Sequence, residues 1–181
     1  MRWEALFADL EAQLAAAGQA AVEAEIADRQ RGEVAGLELT ARIRAQRGRT
    51  LRVHAGLEGG PLAGVLQQLG ADWLLLESAS GSHVVALNAV EMIEGMDRYA
   101  LPVPGSVQLK LASALRGLAR DRYPVALALR GRQALHGSID RVGRDYLEFA
   151  VVEPGTPRRR DNVSAVVMVP LARVAAVSSG R

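Results

Sequence analysis

This sequence contains an internal repeat. Residues 62–76 align with residues 135–149 at an offset of 73, and five of the fifteen positions are identical. A composition rich in leucine, glycine and alanine would give about one identity by chance. Later runs align at an offset of 82, so the second copy holds about nine additional residues between its third and fourth strands. The chain therefore has to form the same small unit twice, as a tandem duplication of a helix followed by five strands.

Both copies show the alternation of apolar and polar residues that is typical of short β-strands. Each run is bounded by glycine, serine, asparagine or proline, which end strands. The pattern predicts five strands in each copy, at residues 51–55, 62–69, 73–76, 84–87 and 90–93, and at residues 125–129, 135–142, 146–151, 165–169 and 171–177.

Glycines recur at matching positions of the two copies. Gly64 and Gly137 lie inside a strand, where glycine is tolerated mainly at a bulge or a sharp bend. Gly70 and Gly143 begin two-residue connections whose composition predicts type II′ turns with a positive φ at the glycine. The aspartates that follow these turns, Asp72 and Asp145, are expected to accept turn N–H groups. A bent second strand and a tight turn to the third predict a small closed barrel.

Two helices are predicted outside the strands. Apolar residues recur every three or four positions through residues 1–46, which indicates a long amphipathic N-terminal helix with a break near Gly32. Such a helix has to pack on the rest of the chain or on another copy. Ser106 is a candidate N-cap for a second helix that ends before Pro124.

Composition excludes several classes of protein. The chain has no cysteine, so a disulfide framework, an iron–sulfur cluster, a thiolate zinc site and a cysteine nucleophile are excluded. No apolar run reaches the roughly 20 residues of a membrane span, and residues 1–4 do not resemble a signal peptide. We therefore expect a soluble, cytoplasmic protein with no membrane contact.

Charge is distributed unevenly along the chain. The net charge of +2 is the sum of −3 over residues 1–46, −2 over residues 47–104 and +7 over residues 105–181. A basic C-terminal part attracts phosphates or acidic protein surfaces. A GC-rich bacterial genome would also supply the excess, since 21 of the 22 basic residues are arginine.

The order of one helix and five strands, with a glycine in the bent second strand, resembles the Sm-like (LSm, Hfq-type) small β-barrel. The patterns Val85-x-Leu87-x-x-Val90-x-x-Ile93 and Val167-x-Val169-x-Leu171-x-x-Val174 carry the same resemblance. It covers residues 47–95 and 122–178 and implies an RNA-binding protein. The third strands lack the family's base-binding asparagine, and residues 93–95 and 177–179 lack its Arg-Gly pair. Residues 1–11 resemble an uncharacterised actinobacterial family.

These observations predict an α+β protein with two tandem five-stranded Sm-like or SH3-like barrels. Each barrel is preceded by a helix, and a long N-terminal helix packs against them. The predicted domains are residues 1–46, a helical region; residues 47–104, the first barrel and a linker; and residues 105–181, a helix and the second barrel. Barrels of about 50 to 60 residues bury little surface on their own, and they leave edge strands, so we expect self-association through barrel edges or the N-terminal helix.

The candidate binding residues are two groups of arginines. Arg158, Arg159 and Arg160 lie on a loop rich in proline and glycine, where they could neutralise phosphates; the alternative is a solvated loop with no special role. A second cluster between residues 42 and 52 supplies Arg44, Arg47 and Arg49, with the same two interpretations and, as a further alternative, pairing to Glu33 and Glu38 on the helix.

No set of residues in the sequence forms a recognisable active site. His54, His83 and His136 lack metal-ligand spacing and are expected to be structural or surface residues, and the equivalent Trp73 and Tyr146 are expected to pack in a core or an interface. We therefore expect a protein that is not an enzyme and uses no cofactor or metal. It binds nucleic acid, RNA in preference to DNA, through the arginines, or it is an oligomeric interaction scaffold without nucleic-acid binding.

Overall fold

The computed structural model describes residues 13, 18–20, 22–29, 31–32, 34–102, 108–156 and 158–180. The chain divides into two compact units, residues 1–39 and residues 40–181. The larger unit contains all the strands that the structure describes, and it contains the candidate site.

The described residues of the N-terminal unit are helical at 18–20, 22–29, 31–32 and 34–35. The helical residues end at Ala35, and Gly36 lies in a turn. The prediction of one long helix over residues 1–46 is therefore wrong, and the break lies at Gly36 instead of Gly32. A separate short helix, α1, spans Leu39–Arg44. The predicted apolar positions 3–14 lie outside the described residues.

The remaining elements are ten strands, one longer helix and three short 3-10 turns. The helix, α2, spans Leu111–Asp121, and the predicted N-cap Ser106 lies outside the described residues. The strands of the first half are β1 (Thr50–His54), β2 (Leu62–Leu69), β3 (Trp73–Ser78), β4 (Gly81–Ala86) and β5 (Met92–Glu94). Those of the second half are β6 (Val125–Leu129), β7 (Leu135–Val142), β8 (Tyr146–Val152), β9 (Val163–Pro170) and β10 (Val174–Gly180).

All ten strands belong to one antiparallel sheet, in the order β5-β1-β2-β3-β4-β10-β6-β7-β8-β9. The prediction of two five-stranded Sm-like or SH3-like barrels is therefore wrong. The physical reason is the pairing of β4 with β10, which runs from Val85 opposite Ala176 to Gly81 opposite Gly180. This seam joins the strands of the two copies into a continuous hydrogen-bonded ladder.

The register of the sheet repeats between the two halves. Leu74 lies opposite Val85, and Leu147 lies opposite Val169, so the fourth strands are offset by 84 residues. The extra segment between β8 and β9 therefore holds eleven residues, two more than the sequence predicts. The first strands are offset by 74, because Leu51 lies opposite Gly64 and Val125 lies opposite Gly137.

Gly64 and Gly137 lie where neighbouring strands approach closely, next to the predicted bulges. A Cβ atom on Gly64 would lie 2.6 Å from the carbonyl oxygen of Glu77. The register with the next strand shifts just beyond each glycine, between Leu66 and Gln68 in β2 and at the equivalent residues of β7. The bulges bend the second strand of each half.

Gly70 and Gly143 have a different role from the predicted one. Neither has the positive φ of a type II′ turn. A Cβ atom on Gly70 would lie 2.6 Å from Trp73 Cδ1, and one on Gly143 would lie 2.8 Å from Tyr146 Cδ1. Glycine is needed because an aromatic ring from the following strand covers it.

One hydrophobic core runs through both halves. α2 packs against β7 and contributes Leu111 and Leu115, and α1 contributes Ile43. Asp72 caps α2 instead of its own turn, since its Oδ1 accepts the Leu111 N–H at 2.6 Å. The largest fully buried side chains of the sheet are Leu51, Leu66, Leu74, Leu76, Leu127, Ile139, Leu147 and Phe149.

Candidate functional site

The predicted arginines Arg158, Arg159 and Arg160 lie on the connection between β8 and β9. Arg158 Nη2 donates to both carboxylate oxygens of Asp140 on β7, at 2.8 and 2.6 Å. This ion pair attaches the connection to the sheet and leaves the Arg158 side chain 30% exposed. Arg159 and Arg160 are exposed, and within the described residues neither side chain has an ion-pair partner. Arg159 and Arg160 are therefore open to a ligand, and Arg158 is open over the part of its side chain that the ion pair leaves exposed.

The predicted arginines Arg44, Arg47 and Arg49 lie at the end of α1 and in the turn to β1. The guanidinium of Arg49 forms an ion pair with Asp97, and Arg42 Nη2 donates to the Asp97 carbonyl oxygen at 2.7 Å. Asp97 is a partner that the sequence did not indicate. Of the predicted partners, Glu33 lies outside the described residues, and pairing with Glu38 stays a prediction. The Asp97 contacts join positions about 50 residues apart in sequence, which the local spacing of charges cannot predict.

Gln46 completes the contact between α1 and the segment after β5. Its buried amide donates to Asp97 Oδ1 at 3.0 Å and to the Arg42 carbonyl oxygen at 3.1 Å, and it accepts the Asp97 N–H at 3.2 Å. The hydrogen bond from Gln46, a second from the Tyr99 N–H and the nearby arginines hold the pKa of Asp97 below its usual value. This cluster stabilises the fold and uses part of the predicted positive charge.

The two arginine groups occupy different elements, and no hydrogen bond or ion pair among the described residues connects them. A third basic group lies at the start of α2, where Lys110, Arg116 and Arg144 line a cavity of about 730 Å³. Arg44 adjoins this cavity through Gln108, which is one of its lining residues. In the orientation in which the Gln108 amide nitrogen donates to the Gly70 carbonyl oxygen, the amide oxygen accepts from Arg44 Nη2 at 2.8 Å. Sequence reasoning missed this group, because Arg144 is 28 residues beyond Arg116 in the sequence and meets it only through the packing of α2.

Two of the histidines have structural contacts. His54 Nε2 lies 2.6 Å from Glu94 Oε1 on the adjacent strand. His83 Nδ1 lies 2.8 Å from Ser178 Oγ across the seam, and burial lowers the pKa of His83. Within the ranges that the structure describes, no three histidine or acidic side chains are placed to hold a metal ion.

Two clefts lie beside the bent second strands. The first cleft has a volume of about 440 Å³ and lies against Ala63 and Gly64. The second cleft has a volume of about 870 Å³ and lies against the equivalent residues, His136 and Gly137. The basic lining of the second cleft comes from Arg122 and Arg158.

The strands at the two ends of the sheet, β9 and β5, expose apolar side chains. Val166 and Met168 of β9 are 61% and 67% exposed, and Met92 of β5 is 51% exposed. Among the described strands, each of these two pairs with a neighbour on one side only. The sheet therefore ends in two apolar edges.

No protein-family model matches the chain, and no curated protein is similar to it in sequence. The resemblances to Sm-like proteins and to an actinobacterial family stay predictions, and the continuous sheet differs from the architecture that the first one implies. Of the helices in the described part of the chain, none is both long and apolar enough to cross a membrane.

Proposed function

We propose that this protein is a non-enzymatic scaffold that assembles head to tail, with the β9 edge of one copy pairing with the β5 edge of the next. The observation that carries the proposal is the seam inside the chain. There β4 pairs with β10, which are the fourth strand of one half and the fifth strand of the other. β9 and β5 are the remaining fourth and fifth strands, and no other strand in the described part of the chain pairs with their outer sides.

Side-chain burial at equivalent positions supports this pairing. Val84 in the seam is 9% exposed, whereas its counterpart Met168 on the open β9 edge is 67% exposed. Ala176 in the seam is fully buried, whereas its counterpart Met92 on the β5 edge is 51% exposed. Contact with a strand from another copy would cover these methionines as the seam covers their counterparts.

The expected association is weak. Full burial of a methionine side chain would stabilise the contact by about 1.5–3 kcal/mol. Few backbone hydrogen bonds would add to this, because β5 has only three residues. An edge contact of this size falls below the roughly 1,200 Å² of a stable complex, so we expect assembly that depends on protein concentration. Because head-to-tail pairing leaves one edge free at each end, it produces a ring or a filament instead of a symmetric dimer.

Sedimentation velocity over a concentration series tests the proposal. Met168→Lys blocks the β9 edge and Met92→Lys blocks the β5 edge, so each variant alone should be monomeric. An equimolar mixture should give a one-to-one dimer and nothing larger, since one intact edge of each kind remains. Leu101→Lys, which changes an exposed apolar residue outside the strands, should assemble like the wild type.

Four results would overturn the proposal. The wild type could be monomeric at every concentration, the Leu101→Lys control could dissociate as fully as the edge variants, or the mixture could stay monomeric. Dimers of Met92→Lys alone would show that β9 pairs with itself, which would refute head-to-tail assembly.

Nucleic-acid binding is a second candidate function, with RNA preferred as the sequence predicts. The exposure of Arg159 and Arg160 on the basic half of the chain favours it. Contacts with phosphates make affinity fall as salt rises. We expect fluorescence anisotropy with RNA and DNA oligonucleotides to show weaker binding at higher salt.

The matched variants for this candidate remove two positive charges each. Arg159→Ala with Arg160→Ala should weaken binding, whereas Arg132→Ala with Arg173→Ala, on other exposed turns, should weaken it less. Arg158 is kept, since its loss would also break the ion pair with Asp140. Undetectable binding at low salt, or binding that is independent of salt, would exclude this function.

A further inference from the structure

The two clefts are equivalent positions of the repeat with different linings. Four lining residues of the first cleft, Thr50, Ala63, Gly64 and Ala79, correspond to Pro124, His136, Gly137 and Val152 of the second. The second cleft is about twice as large. Residues 153–156 and Arg158, from the segment that the first half lacks, form one additional wall, and the seam residues Ser80, His83 and 178–180 form another. Its volume of about 870 Å³ lies within the range of small-molecule sites, roughly 300–1,000 Å³.

Chemically active side chains occur in the second cleft at positions where the first half has none. His136 corresponds to Ala63 of the first half. Arg122 corresponds to Gly48, by the offset of the first strands. Both Arg122 and Gly48 have positive φ, of 48° and 83°, so Arg122 occupies a left-handed conformation that glycine adopts without cost.

The lining combines positive charge with a planar surface. Arg122 and Arg158 supply two guanidinium groups, and Glu153 supplies one carboxylate. Arg158 is held in place by Asp140, which lies outside the lining. Tyr123, which is 61% exposed, and His136 supply rings at the opening. Guanidinium groups favour phosphate and carboxylate ligands, and aromatic faces favour planar ones.

We propose that the second cleft binds a small anionic ligand that carries a planar ring, with Arg122 and Arg158 on the anionic group and Tyr123 and His136 against the ring. This site goes beyond the proposed scaffold function and does not depend on it. The first cleft offers no equivalent site, because its lining has neither arginines nor rings.

Amide chemical shifts of the full chain, measured by NMR, test this site with three probes: phenyl phosphate, inorganic phosphate and benzyl alcohol. We expect phenyl phosphate to shift the amides around Gly137 and Gly155 with a Kd of about 1 mM, and each fragment to bind at least about tenfold more weakly. The amides around Gly64 in the first cleft should not shift.

The variants give the second cleft the residues of the first. Arg122→Gly and His136→Ala should each weaken phenyl phosphate binding by about three- to tenfold, and both keep the fold, since the first half is built with these residues. Arg120→Gln removes an exposed charge of α2 outside the lining and should leave the Kd unchanged. The same spectra show whether each variant is folded.

The proposal is overturned if phenyl phosphate shifts amides near exposed arginines throughout the chain, or if both cleft variants keep the wild-type Kd. Equal affinity for inorganic phosphate and phenyl phosphate would refute the planar part of the ligand. Monomeric behaviour in sedimentation would refute the scaffold and leave the cleft result unaffected, so the two proposals fail separately.

Discussion

Replacing Gly137 with alanine should strongly destabilise the protein. A Cβ atom there would lie 2.9 Å from the carbonyl carbon of Ala150, closer still to its oxygen, and 3.0 Å from Phe149 Cε1. Strand β8 would have to move by roughly 1 Å to restore an ordinary contact. That movement would break about two hydrogen bonds of the β7–β8 ladder, at about 1 kcal/mol each. Backbone strain at a φ of 157° adds about 1–3 kcal/mol.

The expected loss is therefore about 3–5 kcal/mol, a large part of the roughly 5–15 kcal/mol that keeps a domain folded. Urea unfolding followed by circular dichroism measures it as a lower midpoint. Gly117→Ala is the control, since a Cβ atom within α2 meets nothing within 4 Å and should stabilise by about 0.5–1 kcal/mol. A midpoint for Gly137→Ala within error of the wild type would refute the close approach of β7 and β8.

Three further predictions concern single residues. In urea unfolding, Gly70→Ala should lower the free energy of unfolding more than Gly143→Ala does. Gly70→Ala displaces the buried indole of Trp73, whose Nε1 donates to the Leu109 carbonyl oxygen, whereas Gly143→Ala displaces the ring of Tyr146, which lies at the surface. The pKa of Asp97 is lowered in the folded state, so its ionised form stabilises the fold above pH 3.8, and this stability is lost as the pH falls through the folded-state pKa. Asp97→Asn should therefore make the free energy of unfolding less dependent on pH below 3.8 in acid unfolding. An unchanged pH dependence would contradict this prediction. Because the pKa of His83 is lowered in the folded state, the unfolded chain binds the proton at a higher pH than the folded chain does. The stability of the wild type should therefore fall as the pH drops below 6.5. Between pH 7.5 and pH 5.5, the urea midpoint of a His83→Gln variant should decrease less than that of the wild type.

Alternation and turn residues were sufficient to predict all ten strands. The predicted ranges for β2 and β7, residues 62–69 and 135–142, agree with the structure. The prediction for β10 began three residues early, because 171–173 form a 3-10 turn. A half-buried apolar residue at the start of such a turn continues the alternation of a strand. Periodicity therefore locates strands well and their ends less well.

The candidate site was less predictable than the strands. Arg158 and Arg49 were identified as cations, but their carboxylate partners are 18 and 48 residues away. A pattern of charges along the chain contains no information about contacts at that separation. The second cleft had a detectable signal, since it lies where the two copies differ most, at His136 and in the additional segment.

The seam between β4 and β10 explains why the predicted barrels were wrong. Each repeat ends with a fourth and a fifth strand whose outer sides are unpaired, and the sequence alone predicts such edges without indicating which edge pairs with which. Two copies joined in one chain have a high effective concentration, so one fourth strand and one fifth strand pair within the molecule first. That pairing removes two of the four edges and leaves β9 and β5. The same tendency to pair therefore accounts both for the continuous sheet and for the assembly that we propose between copies.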